Sequence, residues 1–488
     1  MVFWLKTAEE YVASLRKMRW RAYFFGKRIE SPADFEIIKP SRNSVALTYQ
    51  LAHEARYSDL MTATSHLTGN RINRFTHIPQ NREDLVKKVK MLRLLGQKTG
   101  SCFQRCAGLD ALITMSSITY DLDKKYDTEY RVNYNRFLEY VQNEDLVCNA
   151  AMTDVKGDRS LKPSQQADPD LYLRIVKRTE DGIIVRGAKA HQTGALNAHE
   201  IVVMPTITMD ENERDYAVSF AIPSDSEGLI HVIGRQANDT RKLEGGSIDA
   251  GNPTYGVSGH EALVVFDNVF VPADRVFMCG EHEFTGTLIE RFTSYHRQNY
   301  GGCKVGVGDV LIGSASTIAQ YNGVERASHT RDKITEMVHL NETMYACGLA
   351  CSYEGTKLPS GDYIVNPLLA NVTKQNVTRF PFEMARLATD IAGGAVGTLP
   401  SEKDLMNPET AKYLEKYLKA KADVRTEDRV RILRLIENMV LGVGLVEALH
   451  GAGSPQAQRV MILRQADLEE KKKLSQHLAG VKTSDNSV

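Results

Sequence analysis

Two pairs of residues in this 488-residue chain have types and spacings suited to an iron–sulfur cluster. Cys102 and Cys106 lie four residues apart, and His296 and Cys303 lie seven residues apart in a later segment. We expect both segments to be helical, and residues i, i+4 and i+7 of a helix share one face. Each segment would therefore point its pair in one direction, and the two faces together would supply four ligands for a cluster.

The spacing of the first pair is weak evidence by itself, because cysteine is often a small buried residue and helices bury residues at the same interval. Cys347 and Cys351 repeat the spacing within an apolar run, residues 345–351, that is typical of helix packing. The first pair differs in its neighbours, three of which could donate hydrogen bonds to cluster sulfurs: Ser101, Gln104 and Arg105. This context favours the first pair as ligands.

The second pair lies in a run of polar and aromatic residues that does not resemble a protein core. His296, Tyr300 and Cys303 would share a helix face, and Gly301 and Gly302 would let a bulky group approach the backbone. A lone histidine is more often structural, so the site interpretation depends on the combination. The glycines that follow match neither the dinucleotide-binding fingerprint nor the P-loop spacing.

Three regions must position these residues. Residues 1–145 predict an all-α domain, with apolar residues such as Leu85, Val89, Leu92 and Leu95 at helix spacing. Residues 146–280 contain short β-rich runs and an Asp181-Gly182 hairpin signal, enough for a small barrel or sandwich. Residues 281–488 return to the helical period, including a stripe of Val430, Leu433, Ile436 and Val440 after a Thr426 cap, which predicts a helical bundle.

The bulk composition favours a small-molecule enzyme. The formal net charge is zero, without the broad basic field that marks nucleic-acid binding. No run reaches the roughly 18 apolar residues of a membrane span, and the first residues fit neither a secretion signal nor a transit peptide. We therefore expect a cytoplasmic protein, in which an odd count of seven cysteines indicates reduced thiols or metal ligands rather than disulfides.

Several longer runs resemble the 4-hydroxybutyryl-CoA dehydratase family, within the wider group of 4-hydroxyphenylacetate 3-hydroxylase-like flavoproteins. The runs that carry the resemblance are residues 102–106, 152–154, 156–159, 190–194, 296–304 and 450–459. The resemblance implies an α+β, acyl-CoA dehydrogenase-like fold with an N-terminal helical domain, a central β-barrel and a C-terminal helical bundle. It also implies a homotetramer.

The same resemblance implies two cofactors, FAD and a [4Fe-4S] cluster. In the family the cluster is held by three cysteines and one histidine, which match Cys102, Cys106, Cys303 and His296. The stretches that would contact the flavin comprise Met152, Thr153, Lys156, Gly157, Asp158, Arg159, His191, Gln192 and Thr193. A further pair, Gly393 and Gly394, resembles the bundle segment that meets FAD across a subunit boundary.

The implied reaction is dehydration of 4-hydroxybutyryl-CoA to crotonyl-CoA, together with vinylacetyl-CoA delta-isomerisation. The C3 hydrogen of this CoA thioester is not acidic, so the family uses flavin to remove one electron from the C2 enolate and the cluster as a Lewis acid for the leaving hydroxyl. His296 would also accept a proton, Tyr300 would orient or protonate the hydroxyl, and Lys304 would hold charge. Glu447 and Glu261 are candidates for further acid–base work.

Two alternatives remain open from the sequence. One is a two-component FAD-dependent aromatic hydroxylase of the 4-hydroxyphenylacetate 3-monooxygenase type, which shares the fold but has no cluster. The other is a non-enzymatic flavin and iron–sulfur protein that stores or senses electrons. The four candidate ligands favour the dehydratase over the hydroxylase, and the titratable group of His296, Tyr300 and Lys304 counts against a pure electron carrier.

Overall fold

Helices form about half of the chain, and most of the strands belong to two larger β-sheets. The computed structural model describes residues 5–257 and 259–481. The helices are α1 (Ala8–Leu15), α2 (Lys39–His53), α3 (Ser58–Met61), α4 (Arg82–Thr99), α5 (Cys106–Tyr126), α6 (Tyr130–Asn143), α7 (Asp239–Leu243), α8 (Thr285–Tyr321), α9 (Ser328–Tyr353), α10 (Pro367–Val377), α11 (Phe380–Ala392), α12 (Glu402–Met406), α13 (Ala411–Tyr417), α14 (Thr426–Leu441), α15 (Val443–His450), α16 (Pro455–Gln465) and α17 (Leu468–Leu478). Within the described ranges, none of them combines the length and apolar character needed to cross a bilayer.

The strands lie mostly in the middle of the chain, as the sequence predicts. They are β1 (Ala22–Phe24), β2 (Lys27–Ile29), β3 (Thr62–Thr64), β4 (Arg71–Asn73), β5 (Cys148–Ala151), β6 (Arg174–Thr179), β7 (Gly182–Thr193), β8 (Glu200–Val203), β9 (Val218–Pro223), β10 (Leu229–Ile233), β11 (Glu261–Pro272), β12 (Val276–Cys279), β13 (Thr356–Lys357) and β14 (Tyr363–Ile364). Thr179 pairs with Gly182, which confirms the predicted hairpin.

The main strands form two separate sheets. One has the order β2-β1-β10-β11-β7-β6 and the other β12-β9-β8-β5, so the strands of the described residues do not close into the expected barrel. The N-terminal region is not all-α, because β1 pairs in parallel with β10 and β3 pairs with β4. Strands of three residues are too short for the alternating pattern that reveals a strand in a sequence. Of the four described strands in this region, only β1 also pairs with a strand from a distant segment.

Helix α8 packs unusually closely against α4 and α9 because glycines line the contacts. A methyl group on Gly302 would lie 2.5 Å from the carbonyl oxygen of Val89, and one on Gly301 would lie 2.6 Å from the Cα of Gly348. The two glycines therefore admit neighbouring helices, and the expectation that they admit a bulky group beside Cys303 is wrong. The predicted apolar stripe of α4 is confirmed by Leu85, Val89, Leu92 and Leu95, none of which is exposed.

The predicted stripe of α14 is also buried, at Val430, Leu433, Ile436 and Val440. The cap differs from the prediction, because α14 begins at Thr426 and Arg425 occupies the cap position. The hydroxyl of Thr426 instead donates to the carbonyl oxygen of Glu415 at 2.8 Å. This helix and its neighbours form the bundle around α8.

Candidate active site

The turn between α4 and α5 presents the first cysteine pair. Helix α4 ends at Thr99, Gly100 follows in the left-handed conformation with φ of 59°, and α5 begins at Cys106. Cys102 therefore lies in a loop, and the prediction that it shares a helix face with Cys106 is wrong. Gln104 also has a positive φ of 56°, and this tight turn, rather than helix periodicity, directs both thiols to the same place.

Helix α8 presents the second pair as predicted. His296, Tyr300 and Cys303 lie on one face of this helix and line the same cavity as Cys102 and Cys106. The free volume inside this cavity is small, about 10 Å³. Its other lining residues are Ser101, Phe103, Asn299, Lys304, Val307 and Glu447. The structure thus brings together all four candidate cluster ligands with three of the candidate acid–base and charged residues.

The thiols in this cavity are far from ionising on their own. Burial, with a smaller contribution from Glu447 and neighbouring thiols, raises the pKa of Cys102 and Cys106 well above the ordinary value and that of Cys303 to about 12. The hydroxyl of Ser101 is buried without a hydrogen-bond partner in the described residues. Buried thiols that need a positive centre to become thiolates, with a free donor beside them, fit an iron–sulfur cluster.

The candidate ligands of this cavity do not form a site for a single metal ion. Within residues 5–257 and 259–481, no group of three or more His, Cys, Asp or Glu side chains is arranged to hold a single metal ion. A four-iron cluster takes each protein ligand on a different iron, so its ligands surround a volume. The three thiols and the imidazole are suited to that larger group.

Lys304 and Glu447 form an ion pair at one side of the cavity. The ammonium nitrogen lies 2.8 Å from Glu447 Oε2, with the two side chains 10% and 19% exposed. Burial alone would lower the pKa of Lys304, but Glu447 and the thiols raise it above its ordinary value. Burial also raises the pKa of the Tyr300 phenol well above its usual range, so the phenol remains a proton donor.

Two buried cations hold the segment that carries Glu447. Lys374 donates to the carbonyl oxygen of Ala448, and its ammonium lies 4.2 Å from the centre of the Tyr300 ring. Burial lowers the pKa of Lys374 to about 7. Arg297 donates to the carbonyl oxygen of Ala452 at 3.1 Å. The C-terminal end of α15 and the following turn are thereby tied to α8 and α10, near the negative end of the helix dipole.

The sequence interpretation missed two residues behind His296. Asp110 Oδ2 lies 2.8 Å from His296 Nδ1, and Asp110 Oδ1 lies 2.5 Å from Lys88 Nζ. Lys88 had the appearance of a solvated residue among the lysines of α4, yet it is only 2% exposed. The sequence did offer a signal, because Asp110 is the only acid in the apolar run that follows Cys106. An unpaired buried charge is costly, so a buried Asp110 requires a cationic or hydrogen-bonding partner.

Two of the three donors predicted near the first cysteine pair face elsewhere. The guanidinium of Arg105 lies 4.6 Å from the ring centres of both Tyr49 and Phe75. The amide of Gln104 donates to the carbonyl oxygen of His260 at 3.1 Å. Only Ser101 lines the cavity. The side chains of Gln104 and Arg105 are therefore not placed to bond cluster sulfurs, but the backbone amide of Gln104 donates to the sulfur of Cys102.

The predicted flavin-contacting stretches of β5 and β7 lie side by side. The Ala190 amide donates to the Thr153 carbonyl at 2.8 Å, and Lys189 Nζ donates to the Met152 carbonyl at 3.0 Å. At the end of β7 the Thr193 hydroxyl donates to Glu261 Oε1 at 2.6 Å, and burial raises the pKa of Glu261 to about 7. His191 and Gln192 precede Thr193 on this strand. Glu261 does not line the cysteine-lined cavity, but it is within electrostatic range of the Glu447 and Lys304 pair, which also contributes to its pKa.

The remaining predicted flavin residues lie in two other places. Lys156, Gly157, Asp158 and Arg159 form the loop that follows β5, where the Asp158 carboxylate accepts hydrogen bonds from Ser160. Gly393 and Gly394 lie outside the cysteine-lined cavity. They line a second cavity of about 490 Å³ with Thr389, Asp390, Val396, Gly397, Val440 and Leu441.

Comparison with known proteins identifies the class. Residues 7–278 match the sequence model of the 4-hydroxyphenylacetate 3-hydroxylase N-terminal part, and residues 285–480 match that of its C-terminal part. The chain therefore belongs to the 4-hydroxyphenylacetate 3-hydroxylase family. An acyl-CoA dehydrogenase from Slackia heliotrinireducens has the same general fold, with a TM-score of 0.50 and 14% identity over 90% of this chain and 96% of that one.

Within the family, the chain is particularly similar to dehydratases. It is 55% identical to the 4-hydroxybutyryl-CoA dehydratase/vinylacetyl-CoA-Delta-isomerase of Clostridium aminobutyricum, over 98% of this chain and 100% of the relative. The structure of an oxygen-tolerant archaeal 4-hydroxybutyryl-CoA dehydratase from N. maritimus matches with a TM-score of 0.97 and 52% identity, over 99% and 97% of the two chains.

Hydroxylases of the family are more distant. The 4-hydroxyphenylacetate 3-monooxygenase oxygenase component of Thermus thermophilus is 27% identical over 91% of this chain and 90% of the relative. An FAD complex of the oxygenase component HpaB matches with a TM-score of 0.86 and 24% identity, over 97% and 98% of the two chains. The resemblance to the 4-hydroxybutyryl-CoA dehydratase family is confirmed, and so is the mixed helix and sheet fold.

Proposed function

We propose that the chain is a 4-hydroxybutyryl-CoA dehydratase that forms crotonyl-CoA and also isomerises the double bond of vinylacetyl-CoA. The observation that carries this proposal is the meeting of three thiols and one imidazole, from Cys102, Cys106, Cys303 and His296, in one cavity. The 55% identity to a dehydratase over nearly the whole chain supports the same conclusion.

The proposed cofactors have residues suited to hold them. Cys102, Cys106, His296 and Cys303 would bind a [4Fe-4S] cluster, and the adjacent ends of β5 and β7, at Met152, Thr153 and His191 to Thr193, would contact FAD. When bound, the flavin supplies one-electron chemistry and the cluster supplies a Lewis acid for the hydroxyl. The Lys156 to Arg159 loop is assigned to the same flavin site.

The overall reaction sets the proton transfers that the side chains must perform. Forming crotonyl-CoA from 4-hydroxybutyryl-CoA removes one hydrogen from C2 and one from C3, replaces the C4 hydroxyl by hydrogen, and releases water. Two protons must therefore be accepted, and two returned, one to C4 and one to the departing hydroxyl. The cavity and its margin offer four groups for this work: His296, Tyr300, Glu447 and Glu261.

The environments of these groups suggest their roles. Glu261, with a pKa of about 7, can accept or release a proton near neutral pH. Tyr300 stays protonated because burial raises its pKa, so it can donate to the substrate hydroxyl. Lys304 holds the Glu447 carboxylate in place and balances its charge.

We further propose a cytoplasmic homotetramer with domains at residues 1–145, 146–280 and 281–488, in which the central sheets act as the barrel-like flavin domain. Exposed apolar side chains near the second cavity, including Leu441 at 66% and Val446 at 59%, favour contact with another subunit. Gly393 and Gly394 would then contribute to the FAD site of a neighbouring copy. Sedimentation analysis of the purified protein tests the tetramer.

The experiment that tests the function is anaerobic purification with counts of iron, sulfide and flavin, followed by assays with 4-hydroxybutyryl-CoA and vinylacetyl-CoA. We expect about four irons, four sulfides and one FAD per subunit, turnover by the wild type, and its loss in His296→Ala. Flavin without iron would instead favour an aromatic hydroxylase. Full cofactor loading without turnover of either thioester would favour an electron-storing protein.

A further inference from the structure

Two buried side chains, Lys88 of α4 and Asp110 of α5, connect their helices to His296 of α8. Lys88 of α4 donates to Asp110 Oδ1 at 2.5 Å, and Asp110 Oδ2 of α5 lies 2.8 Å from His296 Nδ1 of α8. Lys88 is 2% exposed and Asp110 is not exposed. Neither residue lines the cavity that contains the thiols. The contacts of Asp110 therefore reach the cavity through the His296 imidazole and through Asn299, which donates to Asp110 Oδ2 and also lines the cavity.

The imidazole of His296 is held on several sides. Its ring stacks on Phe292 with a centre-to-centre distance of 5.6 Å and meets the ring of Tyr300 edge-on at 5.5 Å. Asp110 Oδ2 also accepts a hydrogen bond from Asn299 Nδ2 at 2.5 Å, one helical turn further along α8. A rotation of the His296 ring would break its bond to Asp110 and disturb the stacking. The ring is therefore fixed in one orientation.

The contact with Asp110 also determines which nitrogen of His296 carries the proton. A carboxylate only accepts hydrogen bonds, and Asp110 already accepts from Lys88 and Asn299. His296 Nδ1 must therefore be the protonated nitrogen, which leaves the lone pair of a neutral imidazole on Nε2. His296 lines the cavity together with the three cysteines, so this lone pair is the one available for iron.

We propose that Asp110 is a positioning residue for the cluster site, which holds His296 in the tautomer that binds metal through Nε2. Lys88 balances the charge of Asp110 and allows the carboxylate to remain buried at that point. This inference rests on the proposed function and extends it. It assigns a role in the cluster site to two residues that do not line the cavity, Asp110 and Lys88.

The test measures iron retention and the electronic environment of the histidine, so it does not depend on turnover. In Asp110→Asn, the amide offers one acceptor atom and one donor atom to three donors, and at least one of these loses its partner. We expect the anaerobically purified variant to release iron to a chelator about 10- to 100-fold faster than the wild type. Pulsed electron paramagnetic resonance of the reduced cluster should show an altered coupling to the remote imidazole nitrogen.

A second variant keeps the test valid if Asp110→Asn does not fold. Lys88→Met combined with Asp110→Leu removes both charges together, so no unpaired charge is left buried. We expect this double variant to keep a melting temperature close to that of the wild type and still to release iron quickly. The matched control is Asp121→Asn, which breaks another α5–α8 ion pair, to Arg291 at 2.6 Å, outside the cavity. The control should retain iron as the wild type does.

The outcomes separate this inference from the proposed function. If the wild type carries the cluster and both Asp110 variants keep its iron and its nitrogen coupling, the inference is overturned while the function stands. Equal iron loss in Asp121→Asn would also overturn it, because the effect would then be a general loosening of α5 on α8. A wild-type protein that binds no iron would overturn the function and the inference together.

Discussion

The phenol oxygen of Tyr300 lies against the backbone of Gly451, where an added methyl carbon would be 1.8 Å from it. Gly451 directly follows α15, the helix that carries Glu447. The contact therefore sets the distance between the Tyr300 hydroxyl and the helix that presents the opposing carboxylate. The absence of a side chain at position 451 is what allows the phenol to occupy this place.

Gly451→Ala should displace the Tyr300 hydroxyl and lower kcat by about 100-fold, because misplacement of a reacting group by about 1 Å can cost that much. KM should change little, since the substitution lies away from the bulk of a CoA thioester. Gly444→Ala on the same helix is the control, because its methyl group would meet only the Val257 carbonyl oxygen, at 3.9 Å. Steady-state assays with wild-type kcat in Gly451→Ala would show that the position of Tyr300 does not matter.

Cys106→Ser should reduce the iron and sulfide content to less than half that of the wild type, because serine replaces a thiolate ligand of the proposed cluster. Flavin content should stay the same. The control is Cys347→Ser, since Cys347 belongs to the pair with identical spacing but lies on α9 away from the cavity. Colorimetric analysis measures the iron and sulfide content of both variants. Equal iron content in the two would show that Cys106 is not a cluster ligand.

Gly302→Ala should destabilise the protein by about 1 to 3 kcal/mol, because overpacking forces backbone shifts in a close-packed interior. Its methyl group would meet the Val89 carbonyl oxygen at 2.5 Å and Leu92 Cβ at 3.0 Å. Gly313→Ala on the same helix meets nothing within 4 Å and should stabilise it by about 0.5 to 1 kcal/mol. Urea unfolding measures the free energy of unfolding of both variants. Equal changes in the two would show that the α4–α8 contact is not closely packed.

Glu261 should make stability depend on pH in a defined direction. Burial raises its pKa from 4.5 to about 7 in the folded chain, so the unfolded chain ionises first as pH rises. The resulting loss of unfolding free energy begins near pH 4.5 and is complete above about pH 7, where it reaches at most roughly 3 kcal/mol. Glu261→Gln imitates the neutral acid and should lack this loss.

The measurement is the difference in unfolding free energy between Glu261→Gln and the wild type at pH 5 and at pH 8. We expect the variant to gain relative stability at pH 8. The control is Glu227→Gln, at an exposed position before β10, which should leave the pH dependence unchanged. A Glu261→Gln difference that is the same at both pH values would contradict the raised pKa.

Local signals in the sequence were sufficient for much of the fold. The Asp181-Gly182 turn and the stripe from Leu85 to Leu95 depend on residues close together in the chain, and the structure has both. The candidate cluster ligands could be grouped because three thiols and one imidazole occur among polar neighbours in two segments. Their meeting in one cavity agrees with that grouping.

The parts that sequence could not predict depend on distant partners. A lysine on a helix normally reaches solvent, so the buried position of Lys88 becomes clear only when Asp110 of α5 is placed opposite it. The loop position of Cys102 follows from the left-handed turn at Gly100, which C-x3-C spacing does not reveal. The three-residue strand β1 depends on pairing with β10, about two hundred residues away.

The docking of α8 onto α4 has a consequence for the order of events during synthesis. Cys102 and Cys106 leave the ribosome about two hundred residues before His296 and Cys303, which lie on α8, the helix that packs Gly302 against α4. A nascent chain that stops before α8 can offer no more than two of the four ligands. Assembly of the proposed cluster must therefore wait until α8 has been synthesised, which places it after the folding of the N-terminal region.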